Sequence, residues 1–98
     1  MKTPLPERKM PLHCPSCQTR MNVKKLVCPH CETEVDGSFP FPVLSALSYE
    51  DQRFIIDFIK TGGSLKDMAA HLKLSYPTVR NQLDDIIQRI QHLQQNPH

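Results

Sequence analysis

The spacing of hydrophobic residues changes along the chain, and this change separates two kinds of predicted structure. After residue 48, apolar side chains recur every three or four positions, which is the period of a helix with one buried face. Three helices are predicted there: the first ends near Lys60, the second is short, and the third runs from Tyr76 to about Gln95. The third helix carries the longest apolar stripe, formed by Val79, Leu83, Ile86, Ile87, Ile90 and Leu93.

Serine residues precede all three predicted helices and suit the N-cap position, where a side-chain oxygen accepts a hydrogen bond from a free backbone N–H. They are Ser48, Ser64 and Ser75. Asp67, three residues after Ser64, completes a pattern that resembles a capping box. Pro77 falls in the first turn of the third helix, where its missing N–H breaks no helical hydrogen bond.

Before residue 40 the pattern is typical of short strands. The stretch between the two cysteine pairs, QTRMNVKKLV, has room for two strands and a tight turn around residues 22–24, and ETEVDGSF predicts a third strand. The next segment, FPFPVLSAL, is predicted to be extended because Pro40 and Pro42 exclude a helix interior. Its apolar side chains are expected to dock onto the helices that follow: Phe39, Phe41, Val43, Leu44 and Leu47.

All four cysteines lie in the first third of the chain, with Cys14 paired to Cys17 and Cys28 to Cys31 in sequence. Each pair is spaced C-x₂-C, a knuckle that points two sulfurs at one metal, and two knuckles complete the tetrahedral set of a structural zinc site. A unit below about 40 residues usually needs such a metal, a disulfide or a partner to fold. We therefore expect one structural Zn²⁺, which has no open coordination position for catalysis.

Two alternatives and two departures accompany this prediction. Four sulfurs also accept iron, whereas a redox C-x-x-C would need a βαβ setting and a reactive exposed thiol, which the sequence does not indicate. The ten residues between the pairs are fewer than the more common spacing of about 15–20. Gln18 and Glu32 stand where such knuckles often carry glycine.

The second and third helices are joined by a short turn and read A-x-x-L-x-L-S-x-x-T-V over residues 69–79. Small Ala69 lets the two helices approach, Leu72 and Leu74 are expected to fill the turn, and Val79 to pack into the core. Lys73 stands where this turn commonly has glycine, so a left-handed backbone there would be modestly strained. A three-helix core that makes no DNA contact obeys the same packing logic and stays open as an alternative.

The stretch LKLSYPTVRNQLDDII (residues 72–87), preceded by LSYEDQRFIIDFIKTGGSLKD (47–67) and by the knuckles, resembles a bacterial family of short proteins. That family combines an N-terminal zinc ribbon with a sigma-factor region-4-like helix-turn-helix, and its members look like transcriptional regulators. The helical half is also similar to response-regulator DNA-binding domains. The resemblance covers residues 11–93, matches the family most distinctively at residues 75–81, and implies DNA binding.

The N-terminal turns of the third helix carry side chains that suit DNA. Arg80 can pair with guanine and Asn81 with adenine, and the helix N-terminus at Ser75 can meet a phosphate through backbone N–H groups. Asp84 and Asp85 would repel phosphates farther along, so only the tip of the helix is expected to enter the groove. The candidate DNA contacts are Lys66, Lys73, Ser75, Thr78, Arg80 and Asn81, together with Tyr76, which the resemblance adds.

The third helix has a predicted length of about 30 Å, at 1.5 Å per residue, which is more than two short helices can cover. Ile86, Ile90 and Leu93, on its far half, are therefore predicted to form a homodimer interface. Packing of these residues against the chain's own linker or ribbon is the alternative.

Charge limits the strength of any nucleic-acid contact. The formal net charge is +2; residues 1–38 carry six Lys and Arg against four Asp and Glu, and residues 39–98 carry six against six. Tight nonspecific binding, which depends on neutralising phosphates, is therefore not expected. The chain has neither a signal-like start nor an apolar run of about 20 residues, so we expect a cytoplasmic protein that does not contact a membrane.

These predictions describe a small α+β protein with a flexible tail (1–11), a Cys₄ zinc ribbon (12–39), a proline-rich linker (40–47) and a three-helix helix-turn-helix domain (48–95). The predicted function is that of a bacterial DNA-binding transcription regulator, with double-stranded DNA as partner and RNA polymerase or another protein as a second one. The alternative is an adaptor of the transcription machinery without direct DNA readout. We do not expect an enzyme, because the histidines lack a partnered nucleophile or metal set; a thiol oxidoreductase is the remaining enzymatic alternative.

Overall fold

The structure, a computed structural model, describes residues 10–95. The chain forms two compact units that divide between Pro40 and Phe41. The elements are β1 (Val23–Val27) and β2 (Glu34–Phe39) in the first unit, and α1 (Tyr49–Lys60), α2 (Leu65–Leu72) and α3 (Tyr76–Gln95) in the second. The predicted small α+β fold with a long third helix is confirmed. Residues 1–9 of the expected flexible tail lie outside the described residues.

Strands β1 and β2 form an antiparallel hairpin whose reversal is the second cysteine knuckle. The prediction of a tight turn at residues 22–24 was wrong, because the knuckles themselves reverse the chain and Val23–Val27 form a single strand there. A lone bridge between His13 and Arg20 closes the first knuckle in the same manner. Strand partners are Val27 with Glu34, Leu26 with Val35, Lys25 with Asp36 and, after a bulge, Val23 with Phe39.

The first unit has no hydrophobic core among its described residues. Every residue from 10 to 40 is exposed or half-buried. Even the cross-strand pair Leu26 and Val35 is 53% and 49% exposed. A unit of this size that buries so little apolar surface needs another source of stability, such as a bound metal.

The predicted N-caps of α1 and α2 are confirmed. Ser48 Oγ accepts a hydrogen bond from the N–H of Asp51, and Ser64 Oγ accepts one from the N–H of Asp67, both at 3.1 Å. Each bond satisfies one of the N–H groups that a helix leaves free at its first turn. The beginnings of both helices are therefore defined by their local sequence.

Helix α1 ends in a Schellman motif built on two glycines. The N–H of Gly63 donates to Phe58 O at 3.2 Å, and the N–H of Gly62 donates to Ile59 O at 2.9 Å. Gly62 has a φ of 78°, in the left-handed region that side chains disfavour. The glycines thus stop α1 and turn the chain towards α2.

The core of the second unit centres on Leu47, Met68 and Val79, none of them more than 2% exposed. Phe54, Ala69, Ile86 and Leu93 complete its buried set. The linker contributes directly, because Leu47 belongs to this core and Val43 packs against it. The expected docking of the linker is confirmed for these two residues, although the segment forms a short 3₁₀ turn at Leu44–Ala46 and leaves Leu44 55% exposed.

A buried carboxylate connects the first turn of α1 to the far half of α3. Asp51 is 8% exposed, and its two carboxylate oxygens accept hydrogen bonds from Nε and Nη2 of Arg89 at 2.6 and 2.9 Å. This bidentate geometry matches the planar guanidinium to the carboxylate. The hydrogen bond to Asp51 raises the pKa of Arg89. The pair fixes the position of α3 along α1.

Lys73 ends α2 with a φ of 58° and a ψ of 43°, the left-handed conformation anticipated for this turn. A residue with a side chain is strained there by roughly 1–2 kcal/mol, and glycine is not. Glycine also makes the unfolded chain more flexible, which offsets part of the gain. We expect Lys73→Gly to raise the free energy of unfolding by about 0.5–1 kcal/mol in urea denaturation followed by circular dichroism. Lys73→Ala, which also removes the charge but keeps the strain, is the control; equal stability of the two variants would contradict the strain.

Candidate nucleic-acid interface and metal-binding knuckles

The two cysteine knuckles share the same backbone hydrogen bonds. In the first, the N–H of Cys14 donates to Thr19 O, and the N–H of Gln18 donates to Cys14 O, both at 2.8 Å. The equivalent bonds of the second knuckle, also at 2.8 Å, run from Cys28 N–H to Thr33 O and from Glu32 N–H to Cys28 O. This repetition shows that both C-x₂-C segments fold as knuckles.

Gln18 and Glu32 adopt left-handed backbones, with φ of 68° and 66°. Their conformation explains why glycine is common at these positions, since glycine reaches positive φ without strain. Both side chains are exposed, so the left-handed backbone does not press either of them against buried residues. The departure from glycine leaves the knuckle geometry intact.

The thiols of Cys17 and Cys31 are exposed and lie next to hydrogen-bonding groups. The Thr19 hydroxyl, followed by the Thr19 backbone N–H and Cys14, lowers the pKa of Cys17. The Thr33 hydroxyl lowers the pKa of Cys31 in the same way. Hydrogen bonds to sulfur favour the thiolate, which is the form that binds metal.

The cysteines meet as two pairs and not as a group of four. Within residues 10–95, no three His, Cys, Asp or Glu side chains lie close enough together to hold a metal ion. The donor chemistry of the pairs nevertheless fits zinc, because each knuckle presents two free cysteine sulfurs. A four-sulfur site requires the knuckles to approach each other, and a divalent cation would supply the attraction.

Helices α2 and α3 pack against each other through a short turn, as the sequence motif predicted. Ala69 is buried at the contact, and the N–H of Leu74 donates to Ala69 O at 3.0 Å, which closes the turn. Leu74 itself is 41% exposed, so the expectation that it fills the turn was wrong. Val79 is fully buried and fixes the first turns of α3 against the core.

The candidate DNA contacts in and near the first two turns of α3 are all exposed. The exposed members are Ser75, Tyr76, Thr78, Arg80 and Asn81, with Lys73 in the preceding turn and Lys66 in the first turn of α2. Ser75 Oγ accepts a hydrogen bond from the Thr78 N–H at 3.3 Å and lies 2.7 Å from Thr78 Oγ1. Because Pro77 has no N–H and Ser75 occupies that of Thr78, side chains must provide most of the contacts to a phosphate.

Arg80 has a partner that sequence reasoning missed. Its Nη2 lies 3.4 Å from Asp84 Oδ1, and both side chains are about half exposed, at 51% and 46%. The signal was present as an Arg and Asp pair four residues apart on a helix. Asp84 was interpreted only as a charge that repels DNA; in the structure it also holds the Arg80 guanidinium. Such an exposed pair is weak, so Arg80 remains available to a stronger ligand.

The residues predicted for a dimer interface lie in the core of the chain's own helical unit. Ile86 and Leu93 are 3% and 7% exposed, and Ile90 packs against the same core. The linker and the other helices contribute to the same cluster, which agrees with the alternative of packing within the chain, and dimerisation stays a prediction. Ile87, which belongs to the apolar stripe predicted for the third helix, is 39% exposed.

A paired-knuckle hairpin followed by α2, a turn and α3 defines a zinc ribbon joined to a helix-turn-helix. The family model described as "DUF2089 zinc ribbon" matches residues 12–45, and the one described as "Domain of unknown function (DUF2089)-HTH" matches residues 47–93. The chain belongs to this family, which confirms the resemblance seen in its sequence. The search of curated proteins found no match, and neither did the search of solved structures.

These modules suggest a protein that binds zinc and nucleic acid. No helix in the described part of the chain has the length and apolar character needed to cross a membrane.

Proposed function

We propose that the protein is a bacterial transcription regulator that binds double-stranded DNA with the N-terminal turns of α3. The observation that carries this proposal is the arrangement of the helix tip. Val79 is buried and anchors it to the core, and its neighbours Thr78, Arg80 and Asn81 are exposed. Arginine and asparagine are the side chains that read guanine and adenine in the major groove. A regulator of this kind would act in the cytoplasm.

The charge distribution supports insertion of the tip alone. Arg80 lies in the first turns of α3, with the exposed Lys73 in the turn before it and the exposed Lys66 in α2, whereas Asp84 and Asp85 follow one turn later. A helix lying deep in the groove along its length would bring these acids close to phosphates. Contact limited to residues 75–81 avoids that repulsion, and the small number of positive charges implies modest, salt-sensitive affinity.

In this proposal the ribbon is held by one structural Zn²⁺ bound to Cys14, Cys17, Cys28 and Cys31. Its role is to extend the DNA contact or to recruit a protein such as RNA polymerase. In the ribbon, Lys25 is not a free positive charge, because its Nζ lies 3.3 Å from Glu34 Oε1. The exposed apolar side chains of the hairpin, Leu26 and Val35, suit a protein contact better than a phosphate backbone.

The test of the α3 contact is the Arg80→Ala variant. We expect it to weaken binding to duplexes selected from a random library by the wild-type chain, by about 1–3 kcal/mol. Arg53→Ala is the matched control: it removes the same charge from α1, where Arg53 is exposed and lies over the Tyr49 ring. Equal affinities of the Arg80→Ala variant and the wild type in a gel-shift titration would contradict this placement of Arg80.

The near-neutral helical unit favours a second candidate, an adaptor that binds only proteins. Residues 39–98 carry six basic and six acidic side chains, a poor basis for phosphate binding. The dependence of duplex binding on salt concentration separates the two functions. Several phosphate contacts give a steep loss of affinity with added salt, and an adaptor shows almost none.

A further inference from the structure

A hydroxyl group meets a cysteine sulfur at the same place in both knuckles. The segments CPSCQT (14–19) and CPHCET (28–33) share a threonine two residues after the second cysteine. The Cys17 thiol donates a hydrogen bond to Thr19 Oγ1 at 3.3 Å, and Cys31 Sγ lies 3.0 Å from Thr33 Oγ1, where either group can donate. Two separate segments of the chain thus build the same side-chain contact on the same member of the C-x₂-C pair.

The backbone of each knuckle fixes the threonine. Thr19 O accepts the 2.8 Å hydrogen bond from the Cys14 N–H, and Thr33 O accepts the equivalent bond from the Cys28 N–H. The preceding residues, Gln18 and Glu32, have positive φ, which turns the chain back across the cysteines. Only the side-chain torsion of the threonine then remains to be set, and in both knuckles it places the hydroxyl oxygen within hydrogen-bonding distance of a cysteine sulfur.

A threonine hydroxyl can donate one hydrogen bond and accept others. When the cysteine is a thiolate metal ligand, it has no proton to donate, so the hydroxyl must be the donor in this contact. Groups that hydrogen-bond to metal ligands orient them, and their loss typically weakens metal binding 10- to 100-fold. We propose that Thr19 and Thr33 are positioning residues of the metal site, each holding the thiolate of one ligand by an O–H···S hydrogen bond. This inference rests on the proposed binding of metal by the four cysteines.

The competing explanation is that threonine is present for its β-branched shape beside a strand. Thr33 directly precedes β2, where a branched side chain is favourable. Valine has this shape without the hydroxyl, and serine has the hydroxyl without the extra methyl group. Because Thr19 and Thr33 are both exposed, neither replacement disturbs a core.

The experiment is titration of the full chain with Co²⁺, followed by competition with a chelator and with Zn²⁺. The variants are Thr33→Val, Thr19→Val, the double variant and Thr33→Ser. The control is Ser16→Ala, which removes a hydroxyl from the first knuckle that makes no side-chain contact to sulfur. We expect each valine variant to bind Co²⁺ about tenfold more weakly and the double variant up to about 100-fold more weakly. Thr33→Ser and Ser16→Ala should bind as the wild type does.

A second measurement does not depend on affinity or on folding yield. At saturating Co²⁺, loss of a hydrogen bond to a thiolate changes its electron donation, so the sulfur-to-cobalt charge-transfer band should shift in the valine variants and return in Thr33→Ser. Valine variants with wild-type affinity and an unshifted band would overturn the proposal. Equal weakening by Thr33→Ser and Thr33→Val would overturn it too. Failure of the wild-type chain to bind Co²⁺ or Zn²⁺ would instead reject the metal site itself.

Discussion

Chelation of the bound metal is expected to unfold the ribbon unit while α1, α2 and α3 keep their helical structure. The described residues of the ribbon, 10–40, include none that is buried, so apolar burial cannot hold the unit together. Structural zinc contributes roughly 10–16 kcal/mol of apparent binding free energy in zinc-finger peptides at neutral pH, and that energy is available only to the folded form. The helical unit has its own core and lies on the other side of a division at Pro40.

The measurement combines a metal assay with amide NMR before and after addition of a chelator. We expect one zinc per chain, loss of peak dispersion for the ribbon residues, and little change for residues 48–95. Cys28→Ser should have the same effect as chelation, whereas Ser16→Ala, in the other knuckle, should not. A purified chain without stoichiometric metal, or a ribbon whose spectrum survives chelation, would rule out the zinc-dependent fold.

Met68→Ala is expected to cause the largest loss of stability in the helical unit. Met68 lies in the middle of α2 and is completely buried against the core residues of the other elements. Truncation of a buried methionine to alanine typically costs about 2–5 kcal/mol, because the cavity does not fully collapse. A domain of this size has a total stability of only several kcal/mol, at roughly 0.05–0.15 kcal/mol per residue. The variant should therefore be partly or wholly unfolded at room temperature.

The stabilities of the variant and the wild type are compared by thermal and urea unfolding, monitored through the circular-dichroism signal of the helices. Ile59→Ala on α1 is the matched control, since it removes a similar apolar volume from a side chain that is 67% exposed. It should change the free energy of unfolding by less than about 0.5 kcal/mol. Similar losses in the two variants would show that the core does not centre on Met68.

Local sequence rules predicted the helices of this chain well. Ser48 and Ser64 form the caps expected of them, and α3 spans Tyr76–Gln95 as its apolar period indicated. These features depend on interactions between residues a few positions apart, and such interactions can be recognised directly in the sequence. The turn at residues 22–24 was misplaced because the same reasoning treated the cysteine pairs only as ligands. In the structure the knuckles are themselves the reversals of the hairpin.

Contacts between distant residues could not be read from the sequence. Asp51 lies in the first turn of α1, and its buried pairing with Arg89 joins positions 38 residues apart. The sequence predicted that Leu47 docks onto the helices, but only the structure shows that it belongs to the same core as Ile86 and Leu93. Which face of a helix is buried depends on which other elements of the folded chain pack against it. The hydrophobic periodicity of the helix alone does not contain that information.

The sequence by itself determined the two modules, the four candidate metal ligands and the short stretch of α3 that suits DNA, because spacing and residue chemistry are sufficient for each. Only the tertiary structure decided that the far half of α3 belongs to the core of its own unit, and that Asp84 holds Arg80. It also showed that each knuckle places a threonine hydroxyl next to a cysteine sulfur. The physical reason is the same in each case: burial, ion pairing and hydrogen bonding depend on distances in space, and these are set only when the whole chain has folded.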